Sequence, residues 1–147
     1  MQYEEGILTP YTCVYFAVKH GPTLMVNPRS QVTVEGEGTI ARHLARLLHP
    51  SYDDEDIVKA TEIDQWVDTA SQYSKGNNKE KNSVLKNMNS KLGKSEWLVG
   101  SGLSLADVMM WGVLVGTNGV PVNVQAWRER CSDRVEFAAV LKQLNMN

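Results

Sequence analysis

Trp97-Leu98-Val99-Gly100 and, two residues later, Leu103-Ser104-Leu105-Ala106-Asp107-Val108 read as a chain turning into a capped helix. The Ser104-x-x-Asp107 spacing is that of a capping box, in which hydroxyl and carboxylate satisfy each other's orphan amides. The helix that follows, Val108-Met109-Met110-Trp111-Gly112-Val113-Leu114-Val115, is apolar on all sides. A helix of that kind is predicted at the centre of a domain. Met109, Met110 and Trp111 are therefore read as core.

The flanking segments supply its neighbours. Downstream, Pro121 stands near the start of a helix carrying Val124, Trp127 and Cys131, and Val135, Ala138, Leu141 and Leu144 mark a last amphipathic helix. Upstream, Val84, Leu85, Met88 and Leu92 point inward from a helix whose Lys79, Lys81, Lys86 and Lys91 point mostly outward, with Gly93 as its stop. Before it, Ile57, Ala60, Ile63, Trp66, Val67, Ala70 and Tyr73 recur at steps of three and four. That helix is capped by the acidic run from Asp53 to Asp56 and broken at Gly76-Asn77-Asn78. A shorter helix with Ile40, Leu44, Leu47 and Leu48 on one stripe ends at Pro50. The first third is strand-like: residues 12–18 and 23–26 read as a β-hairpin or two neighbouring strands, and Gln31-Val32-Thr33-Val34 leads into the first helix.

The fold class expected is α+β and mostly α, with a small β part at residues 1–50 and a bundle of about five helices at residues 51–147. A chain of 147 residues buries enough surface to fold without staples. Fifteen basic against seventeen acidic residues leave a net charge of −2, so there is no global basic excess to suggest nucleic-acid binding. Cys13 and Cys131 lack CxxC partners and read as reduced structural thiols, with one long-range disulfide as the alternative. No apolar run reaches the length of a membrane span, and MQYEEGILTP lacks the pattern of a secretory signal. The expected location is the cytoplasm, with the nucleus as a second site. His20, His43 and His49 have no metal-ligand spacing, and no HExxH, GxSxG or P-loop motif occurs. Neither a metal nor another cofactor is expected.

Three pieces, in order, resemble the glutathione-transferase fold. Val34-Glu35-Gly36-Glu37-Gly38-Thr39-Ile40-Ala41-Arg42-His43-Leu44 is similar to the start of the last thioredoxin-domain helix. The stretch from Trp97 to Val108 resembles the family's capped helix in its helical domain, and Asn123-Val124-Gln125-Ala126-Trp127-Arg128 resembles the start of a late helix. The first 50 residues would then be a truncated thioredoxin-like part. The resemblance also bears on catalysis. Where the family holds the γ-glutamyl group with Glu or Gln followed by Ser, this chain has Glu37-Gly38, and the length that would carry the catalytic residue is missing. A non-catalytic domain is expected.

Further stretches are similar to the transferase-like scaffolds of the multi-tRNA-synthetase complex: Glu35-Gly36-Glu37-Gly38, Ile63-Asp64-Gln65-Trp66-Val67-Asp68, Lys79-Glu80-Lys81, Met88-Asn89-Ser90 and Leu92 to Leu98. This resemblance implies two partner-binding faces. Arg42, His43 and Arg46, beside Tyr52, would meet the transferase-like domain of glutamyl-prolyl-tRNA synthetase. Asp68 would meet aspartyl-tRNA synthetase or a related synthetase. The matching basic group is Arg128 or Arg130, since Ala126 stands where the family carries arginine. Lysyl-tRNA synthetase would bind only through an N-terminal segment expected to be absent here. The lysines between Lys75 and Lys94 have no interleaved aromatic residue, so direct tRNA binding is not expected. The alternatives are a glutathione-dependent enzyme, or a transferase-like domain of a synthetase or elongation-factor subunit.

Overall fold

A computed structural model describes residues 13–17, 21–27, 32–48 and 56–144. The chain divides into two compact units between Leu48 and His49.

The first unit holds a three-stranded antiparallel meander in the order β1 (Cys13–Ala17), β2 (Gly21–Asn27), β3 (Val32–Glu35). Val14 pairs with Leu24 and Leu24 with Val34; a bulge interrupts the second ladder between Met25 and Asn27. The two strands read before Asn27 thus gain a third. Gly36 then takes φ +87°, which only glycine adopts without strain, and its amide donates to the Pro22 carbonyl at 3.1 Å. That turn delivers the chain into α1 (Glu37–Leu48), which packs on β2 and β3 and buries Gly38 and Ile40. The expected stripe is only partly buried. Leu47 and Leu48 are 60% and 73% exposed.

The second unit is a bundle of α2 (Ile57–Lys75), α3 (Asn78–Leu92), α4 (Leu105–Leu114), α5 (Val122–Ser132) and α6 (Val135–Gln143). Its core takes Ile63, Val67, Ala70 and Tyr73 from α2 and Leu85 and Met88 from α3. Trp97, Leu98 and Val99 of the following loop join them, with Met110, Trp111 and Leu114 of α4. Val124, Trp127 and Cys131 of α5 and Phe137 of α6 close it. The Trp111 and Phe137 rings meet edge to face at 4.7 Å. α3 and α4 each pack against both α2 and α5.

Helix boundaries follow local chemistry. Asp56 caps α2, and Gly76 closes it with an amide donated to the Tyr73 carbonyl. Asn77 and Glu80 cap α3 reciprocally: the Asn77 amide donates to Glu80 at 2.8 Å, and Asn77 Oδ1 accepts from Lys79 and Glu80. Gly100, at φ +68°, turns the loop under the Lys59 stem, where a Cβ would stand 2.8 Å from Lys59 Cε. One expectation needs correcting. α4, apolar all round, is not enclosed all round: Val108 is 42% exposed and Gly112 is exposed. Its partners α2 and α5 cover the side bearing Met110, Trp111 and Leu114.

Candidate docking faces and a buried carboxylate

Asp107 is the polar centre of the helical unit, with no exposed surface. Its Oδ1 accepts from the Leu98 amide at 3.1 Å and from Trp127 Nε1 at 2.9 Å. Its Oδ2 accepts from the Ser104 amide at 3.0 Å and the Ser104 hydroxyl at 2.8 Å. Four donors offset what burying a carboxylate would otherwise cost. The loop at Leu98, the start of α4 and the middle of α5 are thereby held together.

A second brace escaped the sequence reading. The Asn123 amide donates to Asn89 Oδ1 at 3.1 Å, and Asn123 Nδ2 donates to the Asn89 carbonyl at 3.0 Å. This pair ties the start of α5 to the end of α3. The only signal was an asparagine beside the inward Met88, which α3's polar surface disguises.

The candidate residues are placed as follows. Arg42 and His43 are half-buried on α1, and Arg46 is exposed there. Tyr52 and His49 lie outside the described residues. Asp68 is exposed on α2, next to the fully buried Val67. Arg128 reaches back to the end of α4: its Nη1 donates to the Leu114 carbonyl at 3.1 Å and the Thr117 carbonyl at 2.7 Å, and Nη2 donates to Gln125. Arg130 donates to the Glu96 carbonyl at 2.6 Å, with its guanidinium 6.0 Å from the centre of the Trp97 ring. Both arginines thus bind main-chain carbonyls of their own domain. Beside them on α5 Val122 is 83% exposed, and Ala126 and Glu129 are exposed on the same side of the helix.

Among the described residues, nucleophile and metal chemistry find little. Cys131 is a free, fully buried thiol. Burial first, then the Asp107 charge, pushes it up to about 12, so it carries no thiolate near neutrality. Among the described residues no group of three or more His, Cys, Asp or Glu side chains could hold a metal ion. Nor is any described helix long and apolar enough to cross a membrane. At the start of α1, Glu37 is exposed and Gly38 buried. A groove of about 480 Å³ between α2 and α3 is lined by Ser71, Tyr73, Lys75, Gly76, Glu80 and Val84.

The pattern of the glutathione S-transferase C-terminal domain matches residues 40–134. The chain belongs to that family. It is 46% identical over 116 residues to aminoacyl tRNA synthase complex-interacting multifunctional protein 2 of Bos taurus, and equally so to that of Homo sapiens. Each match covers 76% of this chain and 35% of the relative, so the chain spans about a third of the length of these relatives. A cytoplasmic glutamate–tRNA ligase of Arabidopsis thaliana is 33% identical over 86 residues, covering 57% of this chain and 12% of the ligase. Among solved structures, Ure2p5 from Phanerochaete chrysosporium superposes with a TM-score of 0.64 at 18% identity, covering 83% of this chain and 73% of that one. Ure2p in complex with S-hexylglutathione gives 0.60 at 16%, covering 82% and 74%. These two likenesses show a transferase fold, mostly helical, and nothing about ligand.

Proposed function

We propose that this transferase-family chain is a component of a multi-tRNA-synthetase complex and acts there as a non-catalytic scaffold. The observation that carries the reading is the 46% identity over 116 residues to relatives named for interaction with that complex. Residues 1–50 would serve as a reduced thioredoxin-like part and residues 51–147 as the helical docking domain, working in the cytoplasm without a cofactor. The absence of a hydroxyl at Gly38 supports the non-catalytic role, since a γ-glutamyl carboxylate would lack one donor there.

Docking would use helix faces. Arg42, His43 and Arg46, with Tyr52, are proposed to meet the transferase-like domain of glutamyl-prolyl-tRNA synthetase. Asp68 is proposed to meet aspartyl-tRNA synthetase or a related synthetase, together with the exposed Val122 end of α5. Apolar area at such a face supplies affinity, and a shielded charge pair sets the choice of partner. Arg128 and Arg130 are weaker candidates for the basic half of that pair, because each already donates to carbonyls of its own domain.

The test is light-scattering size exclusion of this chain alone and mixed with the transferase-like domain of glutamyl-prolyl-tRNA synthetase, with glutathione-resin binding on the same sample. A one-to-one complex without resin retention is the expected result. Retention on glutathione with no complex would overturn the scaffold reading and favour an enzyme.

A further inference from the structure

We propose that Asn118, on the loop joining α4 to α5, is a site of spontaneous covalent modification, converting through a succinimide to aspartate and isoaspartate. Asn118-Gly119 is the one Asn-Gly pair in the sequence. The inference does not depend on the docking role.

The reaction needs only base and water from solvent. The Gly119 amide nitrogen gives its proton to hydroxide and attacks Cγ of Asn118. The N–Cγ bond forms, the Cγ–Nδ2 bond breaks, and ammonia leaves with a proton taken from water. A five-membered imide then spans the two residues. One water adds to either ring carbonyl: opening at one restores a normal peptide bond with an aspartate side chain, opening at the other leaves the main chain running through Cβ and Cγ. No redox step is involved.

Three obstacles usually protect asparagine: a Cβ on the next residue, a hydrogen bond on the attacking amide, and burial. None operates here. Gly119 has no Cβ, adopts φ +73°, and has nothing within 4 Å of where a Cβ would be. Both residues are exposed. Among the described residues the Gly119 amide donates to no acceptor and the Asn118 side chain has no partner. Four other asparagines of the bundle are guarded. Asn82, Asn87 and Asn89 lie inside α3, where the next amide belongs to the helical ladder. Asn123 is fastened to Asn89 and is followed by the buried, β-branched Val124.

The change would be felt by the neighbouring turn. The carbonyl of Thr117, one residue before, accepts the 2.7 Å hydrogen bond from Arg128. Isoaspartate lengthens the main chain by one carbon at that point and adds a negative charge to a loop that now has none.

The intact chain is incubated at mildly alkaline pH and physiological temperature, then digested with trypsin. Cleavage after Lys94 and Arg128 gives one peptide, residues 95–128, holding Asn118 and, as an internal control, Asn123. Mass spectrometry should show a gain of one mass unit at Asn118 alone, and protein isoaspartyl methyltransferase should label the same peptide. The folded chain should convert within about tenfold of the rate of the free peptide. Asn118→Gln, whose ring would have six members, should lose both signals while keeping the parent melting temperature. Slower conversion than that limit, modification elsewhere instead, or labelling that survives Asn118→Gln would overturn the proposal.

Discussion

The indole Nε1 of Trp127 lies 2.9 Å from Oδ1 of Asp107, and neither residue is more than 1% exposed. An apolar helix, a loop and a late helix are thereby joined through one carboxylate that also takes the amides of Leu98 and Ser104. Bury such a group without donors and it destabilises the fold; surround it with four and it specifies one arrangement.

Asp107→Ala should therefore be the most damaging substitution in the bundle. It leaves the Leu98 amide and the Trp127 indole buried without acceptors, at about 1–3 kcal/mol each. Against a total stability of about 5–15 kcal/mol, the variant should be largely unfolded or melt far below the parent. Asp107→Asn, which keeps one acceptor oxygen, should fall between. Urea denaturation measures both, and an unchanged midpoint for Asp107→Ala would contradict the assignment.

Arg128 divides two roles cleanly. As a cap on the end of α4 it predicts that Arg128→Met lowers stability by about 1.5–3 kcal/mol, the range for hydrogen bonds to charged groups. Lysine at this position should rescue little, since a single ammonium does not reproduce the planar fork. If Arg128→Met melts like the parent but loses a synthetase partner, the arginine serves docking instead.

Asp68→Arg should leave the chain folded, at a cost of no more than about 1 kcal/mol, the range for the interactions of an exposed charge. In a pull-down it should abolish capture of aspartyl-tRNA synthetase and spare the glutamyl-prolyl partner. Survival of both contacts would remove Asp68 from the proposed face.

The asparagine brace consists of two separate bonds, each from one residue's side chain to the other's main chain. Asn89→Ala and Asn123→Ala should each cost about 0.5–1.5 kcal/mol in urea denaturation, and the double variant about the sum. Parent-like midpoints for both single variants would mean that the start of α5 is held by Val124 packing alone.

Cys131 predicts an alkaline limb. Its thiol ionises near 9.0 in the unfolded chain and near 12 when folded. Below pH 9 both states carry the proton and the difference is fully present as stability. Between those values only the unfolded state releases it, so stability falls as pH rises. The parent should lose stability over that window faster than Cys131→Ala, in matched melts across the range. Parallel curves would show that the folded thiol titrates normally.

Much of this architecture was legible because its determinants are local. Ser104 and Asp107, Gly76 and Gly93 announce helix ends within three or four residues, and the spacing from Ile63 to Tyr73 marks the inner side of α2. The sidedness of α4 was not legible, because a helix apolar on every face has no period to show which side meets solvent. Nor were the partners of Arg128 and Arg130, since a main-chain carbonyl leaves no trace in residue type. Asn89 and Asn123 meet across 34 positions that no spacing rule connects. For the docking faces, residue pattern placed Asp68 next to an inward Val67, and the partner assignment came from resemblance alone.

The Asp107 cluster has a further consequence, in time. Its donors at Leu98, Ser104 and Trp127 lie 9, 3 and 20 positions away in the chain. Loops that short close with little entropy, long before the segment from Ile57 to Leu92 needs to arrive. Substitutions at Trp127 should accordingly slow refolding, while those at Met88 should mainly hasten unfolding, a contrast stopped-flow kinetics would read. Residues 97–127 would thus be the knot that ties first, and α2 and α3 the part that settles onto it.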